Sequence, residues 1–373
     1  MGNKVKWVKL KEVVSVFDKK NTEGRFLPVY GINKDNEFMP TVANMEGIDI
    51  GKYKILSRGT FAFNGMHVGR DIAIPIGKYG FDFDALISPA YTTFEINNHD
   101  LLADYFEVII RVDEFDRLGW FYCDSSVRGG LDWKRFLDIE IPIPSIEEQQ
   151  KVVNAWKAFS EIKEQNEAIA APLMQVCQSY IQELKHKYES VEIGPYIEEY
   201  DLRNKDSDYT LNDVRGISIE KRIIDTKANM DGVSLSPYKI FKNGTFCYVT
   251  ITSRNGDKIT LSLNPDDRDY IVSSSYITFK VMNHEALTSE FLYLWFCRPE
   301  FDRYARFNSW GSAREAFSFE EMKRTVVPIP PIDVQRAIVN IYNCAIEAKK
   351  IAEEADQKSR EVCPALIQHV IHQ

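Results

Sequence analysis

Two stretches of the sequence are rich in side chains that can hydrogen-bond to the edges of bases or neutralise phosphates. They run from residue 64 to 70 and from residue 250 to 258. The candidate residues are Asn64, His67 and Arg70 in the first stretch, and Thr250, Thr252, Ser253, Arg254, Asn255 and Lys258 in the second. Arginine can pair with guanine, and asparagine with adenine, through two hydrogen bonds. Each stretch is therefore either a nucleic-acid-contacting loop or an ordinary polar hairpin loop.

Further polar candidates lie outside these stretches. Arg128 and Arg314 each precede a Pro-x-Pro sequence and follow a hydroxyl residue by two positions. Each arginine could either contact a phosphate or form a structural salt bridge. A second candidate set consists of Lys34, Ser218 and Lys221.

The candidates occupy matching places because the chain repeats itself once. Ala43-Asn44-Met45 recurs as Ala228-Asn229-Met230 at an offset of 185 residues. Pro142-Ile143-Pro144 recurs as Pro328-Ile329-Pro330 at an offset of 186. A register kept over such a length predicts a tandem duplication.

Each repeat has a β-rich part, a Pro-x-Pro boundary and a long helix, in that order. We therefore expect an α/β (α+β) tandem repeat with pseudo-twofold symmetry. Its mixed α/β domains are expected at residues 1–144 and 188–330, and its long antiparallel, coiled-coil-like helices at 145–187 and 331–373. A helix from residue 146 to 171 would span about 40 Å, which is close to one turn of DNA. Two domains held in this way would be spaced to read two half-sites.

Both long helices are predicted to pack through an apolar seam. In the first helix the seam consists of Val152, Trp156, Phe159, Ala170, Leu173, Cys177, Tyr180 and Leu184. In the second it consists of Ile338, Ile341, Ala345, Ala348, Ala352 and Ala355. Ser145 is the expected N-cap of the first helix. Pro172 and Pro364 are expected to end or kink the helices late in their course.

The composition narrows the class of protein. A hydrophobic fraction of 44% suits a globular chain, and no apolar run is long enough to span a membrane. The six cysteines form no Cys-x-x-Cys pair, so we expect free thiols in the cytoplasm and no zinc site. The net charge of −9 argues against a simple nucleic-acid binder, unless the cations cluster on one face. Many acidic residues fall in the predicted helices, which would face solvent or partner proteins.

The start of each long helix carries the element Pro-hydrophobic-Pro-x-hydrophobic-x-x-Gln, at residues 142–149 and 328–335. The second repeat adds characteristic segments at residues 203–204, 216–218, 226–229, 238–240, 273–276 and 311–314. With this duplicated and ordered set, nearly the whole chain resembles the specificity subunits of type I restriction-modification systems. The first repeat departs from the pattern at residues 125–128, where the glycine-containing form is missing.

This resemblance implies two target-recognition domains, each reading half of a bipartite site in double-stranded DNA. The helices would act as a spacer and dock two methyltransferase subunits, to which restriction (motor-nuclease) subunits add. The resemblance also implies that the chain is not an enzyme by itself. S-adenosylmethionine would bind in the partner methyltransferase, and ATP and Mg²⁺ in the restriction subunit, so no cofactor is expected in this chain.

Sequence features that would indicate catalysis are missing. The chain has neither the glycine-rich loop nor the Asn/Asp-Pro-Pro-aromatic motif of an adenine methyltransferase, and it has no Gly-Lys-Ser/Thr phosphate loop. His99 and His284 recur in predicted turns, where a capping or surface role is favoured over catalysis. We therefore expect no catalytic and no metal-binding residues. The alternative functions are a non-catalytic protein-interaction scaffold or acidic DNA mimic on the same fold, and an enzyme with an unrecognised site.

Overall fold

The computed structural model describes residues 5–66, 68–124, 129–253, 258–312 and 314–372. The chain divides into two compact units. The first unit comprises the residues up to Asn166 together with those from Lys350 onward, and the second comprises Glu167–Lys349. The division therefore falls within both long helices, so that each unit contains half of each helix.

The first unit combines short strands with short helices. Its strands are β1 (Lys6–Lys9), β2 (Val14–Phe17), β3 (Val29–Ile32), β4 (Phe38–Pro40), β5 (Lys54–Leu56), β6 (Phe61–Phe63), β7 (Ile76–Lys78), β8 (Ala85–Ile87), β9 (Thr92–Ile96) and β10 (Glu140–Ile143). Its helices are α1 (Val68–Asp71), α2 (Ala103–Ile109), α3 (Asp113–Phe121), α4 (Trp133–Phe136) and the N-terminal half of α5 (Ile146–Lys187).

The strands of the second unit follow the same order as those of the first. Its strands are β11 (Ser190–Glu192), β12 (Ile197–Tyr200), β13 (Arg215–Ile217), β14 (Ile223–Asp225), β15 (Lys239–Phe241), β16 (Phe246–Val249), β17 (Leu261–Leu263), β18 (Tyr270–Val272), β19 (Tyr276–Val281) and β20 (Val326–Pro328). Its helices are α6 (Ser289–Phe296), α7 (Pro299–Phe307), α8 (Phe319–Lys323) and the N-terminal half of α9 (Ile332–Ile371).

The sheets of the two units correspond strand by strand. The main antiparallel sheet has the order β2-β9-β6-β7 in the first unit and β12-β19-β16-β17 in the second. A smaller sheet has the order β4-β3-β8-β5 in the first unit, and the matching strands of the second form the pairs β13-β14 and β15-β18. The predicted fold class, a duplicated mixed α/β domain with two long helices, is confirmed.

Equivalent aromatic side chains build the core of each unit. The rings of Phe61 and Phe94 stack with centroids 5.2 Å apart, and those of Phe246 and Phe279 stack at 4.8 Å. All four rings are fully buried, and each pair joins two neighbouring strands of the main sheet. This packing fixes β6 and β16, the strands that lead into the two candidate loops.

The two long helices pack antiparallel within each unit. In the first unit Val152 of α5 shares a core with Ile367 of α9, and Lys163 pairs with Asp356 at 3.0 Å. In the second unit Cys177 of α5 shares a core with Ile338 of α9. The small-residue seam of α9 is confirmed, because its four alanines are buried. None of the helices in the described part of the chain is both long and apolar enough to cross a membrane.

One position of the predicted apolar seam of the first long helix is wrong. Tyr180 is 45% exposed, and Ile181 is buried in its place. Pro172 and Pro364 lie inside α5 and α9, which continue to Lys187 and Ile371, so neither proline ends its helix. A proline costs a helix interior about 3 kcal/mol. Buried residues beyond each proline, such as those in the last turns of α5, offset that cost by packing against the domain cores.

Gln149 and Gln335 are the last residues of the two Pro-hydrophobic-Pro-x-hydrophobic-x-x-Gln elements, and their hydrogen bonds show why a glutamine stands there. Both side chains are fully buried. The amide oxygen of Gln149 accepts a hydrogen bond from the backbone N–H of Leu102, and its Nε2 donates to the carbonyls of Asp100 and Pro144. Gln335 makes the corresponding three bonds in the second unit, at 2.8–2.9 Å. The glutamine thus fastens the first turn of the helix to the loop that precedes α2 or α6.

Replacing Gln149 or Gln335 by Ala is expected to destabilise the corresponding unit by about 2–4 kcal/mol, because buried backbone groups lose their partners. Denaturant unfolding monitored by hydrogen exchange at residues 100–102 and 286–288 measures the effect. Gln150→Ala is the matched control, since Gln150 is exposed and bonds only to Asn154 among the contacts described. Equal stability of the Gln149→Ala and Gln150→Ala proteins would contradict the fastening role.

Candidate nucleic-acid interface

The first candidate loop leaves the end of β6 and is held at both ends. Asn64 is half-buried, its backbone N–H donates to the Pro75 carbonyl at 2.9 Å, and its Oδ1 accepts from the backbone N–H of Met66. Val68, in the short helix α1, is fully buried. These hydrogen bonds and the buried Val68 side chain hold the loop backbone in place, so that its polar residues have fixed positions.

The same loop lies directly against residues 129–131. The backbone N–H of Gly69 donates to the Gly129 carbonyl at 2.7 Å, and that of Leu131 donates to the Gly65 carbonyl at 2.9 Å. A Cβ atom on Gly65 would stand only 1.8 Å from the Leu131 carbonyl oxygen, and one on Gly69 only 2.7 Å from the Cα of Gly129. The glycines permit this close approach. The structure thus brings the 64–70 stretch next to the segment that follows Arg128.

The second unit joins its loops in the same place. The backbone N–H of Thr252 donates to the Glu315 carbonyl at 3.1 Å, and its hydroxyl lies 2.8 Å from that of Ser309. The backbone N–H of Phe317 donates to the Thr250 carbonyl at 2.8 Å. The 250–258 stretch and the region of Arg314 therefore meet, as their counterparts do in the first unit.

The individual side chains of these loops differ in accessibility. Ser253, Lys258 and Arg314 are exposed, and Thr250 is half-buried. Thr252 is only 2% exposed, so its hydroxyl anchors the loop and is removed from the candidate base-reading groups. Residues outside the described part of the chain are His67, Arg128, Arg254 and Asn255; Arg70 lies in α1, but its side chain is also outside.

The second candidate set lies at the hairpin turns of the smaller sheets. Lys34 is exposed in the turn between β3 and β4, and Ser218 is half-buried in the turn between β13 and β14. Lys221 is only 4% exposed, and its Nζ lies 2.5 Å from Oδ1 of Asp302. A buried lysine with an internal partner cannot reach a phosphate. The prediction for Lys221 is corrected to a structural ion pair.

That ion pair differs between the units. Asp302 also accepts a hydrogen bond from the backbone N–H of Ile259, and its equivalent Asp116 accepts one from Ile74. The counterpart of Lys221 is Asn36, and both residues have a positive φ, 62° and 60°. No lysine or arginine among the described residues forms an ion pair with Asp116.

The pKa of Asp116 reflects this missing partner. Burial raises the pKa of its carboxyl to about 6, against the opposing effect of the hydrogen bond from Ile74, and the charge of Asp113 raises it further. The repeated Phe-Asp-Arg sequence marks both aspartates, but its role was not predicted. The sequence signal for this difference is the pairing of Lys221 at one hairpin turn with Asn36 at the equivalent turn of the other repeat.

The two histidines that recur in the repeat lie in exposed turns. His99 and His284 are exposed, and each follows an asparagine whose side chain closes a local turn. Within the described ranges, no three His, Cys, Asp or Glu residues converge in a way that could hold a metal ion. In each unit, two loops with hydrogen-bonding and cationic residues lie side by side at the end of β6 or β16 in the main sheet.

Comparisons with known proteins agree with this architecture. Residues 181–354 match the family model described as "Type I restriction modification DNA specificity domain". The fold resembles a crystal structure of the S subunit of a type I restriction-modification system from M. genitalium, with a TM-score of 0.64 and 12% identity over 99% of this chain and 97% of that chain. No curated protein sequence matches the chain.

Two further solved structures resemble the chain more distantly. The HsdS subunit from Thermoanaerobacter tengcongensis has 13% identity and a TM-score of 0.39, over 99% of this chain and 97% of that chain. A structure described by complex assembly and conformational transition of the type I R-M system has 12% identity and a TM-score of 0.43, over 99% and 98%. At these scores the two likenesses do not by themselves establish a shared fold.

Residues 181–354 thus carry a DNA specificity domain of the type I restriction-modification kind, and the fold of the whole chain resembles that of an S subunit.

Proposed function

We propose that the chain reads a bipartite target in double-stranded DNA, with one half-site read by each unit. One observation carries this proposal. In both units the loop that follows the central strand, β6 or β16, is hydrogen-bonded to the loop that precedes the last short helix, α4 or α8. Two rigidly mounted loop pairs at equivalent positions are what a two-part site requires.

The division of labour follows from the same proposal. Residues 1–144 and 188–330 act as target-recognition domains, and residues 145–187 and 331–373 act as spacer helices. The helices dock two methyltransferase subunits, and restriction subunits add to this complex in the cytoplasm. S-adenosylmethionine binds in the methyltransferase, and ATP and Mg²⁺ in the restriction subunit, so the chain supplies specificity to chemistry carried out by its partners.

The proposed contacts are those whose side chains are accessible or lie in the two loop pairs. They are Asn64, Thr250, Ser253, Lys258 and Arg314, with Lys34 and Ser218 at the hairpin turns. His67, Arg70, Arg128, Arg254 and Asn255 stay in the proposed set on the strength of their positions in the sequence. Thr252 and Lys221 leave it, because both side chains are buried.

Charge-removing substitutions test the proposed phosphate contacts. In the complex with its methyltransferase, Lys258→Gln and Arg314→Gln are each expected to reduce the slope of log K against log salt by about one, because each phosphate contact releases about one counterion. Fluorescence anisotropy of a labelled duplex, titrated at several salt concentrations, measures that slope. Sequence preference should change less than affinity, because phosphate contacts position the protein without reading bases.

Lys242→Gln is the matched control for both substitutions. Lys242 is an exposed lysine just before the start of β16, at the opposite end of that strand from residues 250–258. Its removal should leave the salt slope unchanged. If all three variants lower the slope equally, the contact is diffuse and the loop assignment is wrong. If the assembled complex binds no DNA, the acidic scaffold or DNA mimic becomes the better account of the net charge of −9.

A further inference from the structure

Helices α3 and α7 carry the same pattern, Glu-Phe-Asp-Arg-x-x-x-Phe, at residues 114–121 and 300–307. Its first phenylalanine is buried in the core of each unit, and its aspartate accepts a backbone hydrogen bond. Packing therefore explains the beginning of the pattern. It does not explain the final phenylalanine, because Phe121 is 79% exposed and Phe307 is 80% exposed.

The neighbourhood of these two rings shows what they could contact. One turn earlier on the same helix face stand Arg117 and Arg303, whose side chains are 72% and 68% exposed. Among the described residues, each pairs with a glutamate of its own helix, and solvent-accessible pairs of this kind are weak. The residue just before each ring differs, Trp120 in one unit and Arg306 in the other. The shared feature is therefore a cation beside an exposed ring.

Both helices end at the candidate interface. Three residues after Phe121, the backbone N–H of Asp124 donates to the Gly130 carbonyl at 2.9 Å, within the loop pair of the first unit. Two residues after Phe307, the hydroxyl of Ser309 bonds to that of Thr252. In the first unit the exposed Ile72 also has a φ of +50°, a conformation that is uncommon and strained for a β-branched residue.

We propose that Phe121 and Phe307 lie against DNA bases or sugars at the edge of each half-site, with Arg117 and Arg303 on the adjacent phosphates. This inference rests on the proposed function. In duplex DNA an apolar ring such as phenylalanine can wedge between neighbouring base steps, and this contact carries little sequence information. The loop pairs differ in sequence between the units, but the ring and the cation do not. The rings therefore supply affinity common to both half-sites and leave sequence reading to the loops.

The test uses the chain assembled with its methyltransferase. Phe121→Ala and Phe307→Ala are each expected to weaken binding about ten-fold, to target and non-target duplexes alike, because the ring no longer buries apolar surface; the salt slope should not change. Phe→Tyr at either position keeps the ring and should keep the affinity. Arg117→Gln or Arg303→Gln should instead lower the salt slope by about one. The methylated sequence motif should be the same in all of these variants.

Phe26→Ala and Leu211→Ala are the matched controls. They remove exposed apolar side chains, 101% and 55% exposed, at positions that correspond between the units. Phenylalanine variants that bind DNA like these controls would overturn the inference. Variants that bind the methyltransferase more weakly, while the complex that does form binds DNA normally, would overturn the inference in favour of a protein contact. A wild-type complex without sequence preference would contradict the proposed function, whereas failure of the ring variants in a sequence-specific complex contradicts only this inference.

Discussion

Replacing Asp302 by Asn is expected to destabilise the second unit by about 3–5 kcal/mol, because it leaves a buried charge without its partner. The Lys221 side chain is 5% exposed, and Asp302 lies 2.5 Å from its ammonium group. The asparagine can still accept the hydrogen bond from the backbone N–H of Ile259, so the loss of stability reports the effect of the charge alone. Removing both charges in the double variant Lys221→Met, Asp302→Asn should recover most of the stability.

The equivalent replacement in the first unit has the opposite sign. Because burial raises the pKa of Asp116 to about 6, its protonated form is favoured in the folded state. Its contribution to stability is therefore fully present below the unfolded pKa of about 4 and is lost as the pH rises through about 6. Asp116→Asn should leave stability nearly unchanged at pH 4 and increase it by about 1–2 kcal/mol at pH 7.

Denaturant unfolding of the wild type and the variants across this pH range measures both effects. Hydrogen exchange at Ile74 and Ile259 assigns each change to its unit, since their backbone N–H groups donate to the two aspartates. Equal losses of stability at pH 7 for Asp116→Asn and Asp302→Asn would show that the two sites are electrostatically alike, contrary to the structure.

The largest expected effect on function comes from Gly65. Its Cα faces the Leu131 carbonyl oxygen, which a Cβ atom would approach to 1.8 Å. Gly65→Ala must therefore separate the two loops of the first unit and displace the side chains mounted on them. Each lost base-pair contact costs about 1–3 kcal/mol. We expect discrimination at one half-site to fall about 100-fold or more, with the other half-site read normally.

Gly80→Ala is the control for this substitution, because a Cβ atom at Gly80 meets nothing within 4 Å. Competition binding with duplexes altered in one half-site at a time measures the discrimination. Loss of both halves in the Gly65→Ala complex would indicate general misfolding. Unchanged discrimination would mean that the loop pair of the first unit does not read DNA.

The sequence was enough to predict the duplicated fold, because residues such as Phe61 and Phe246 keep their register over the whole repeat. The two polar stretches singled out in the sequence, 64–70 and 250–258, directly follow β6 and β16. The sequence could not predict that these loops join residues 129–131 and 315–317, because those bonds run between backbone groups distant in sequence. Lys221 was misjudged because lysine is almost never fully buried unless it is paired, and the partner lies 81 residues away.

The most direct test of the central claim is adenine-methylation mapping by long-read sequencing, in a host that expresses the chain with its methyltransferase. A two-part motif with a fixed gap is the expected result. Substitutions within residues 64–70 should alter one half of that motif, and substitutions within 250–258 only the other. A motif without two parts, or one in which either set of substitutions changes both halves, would contradict the assignment of one half-site to each unit.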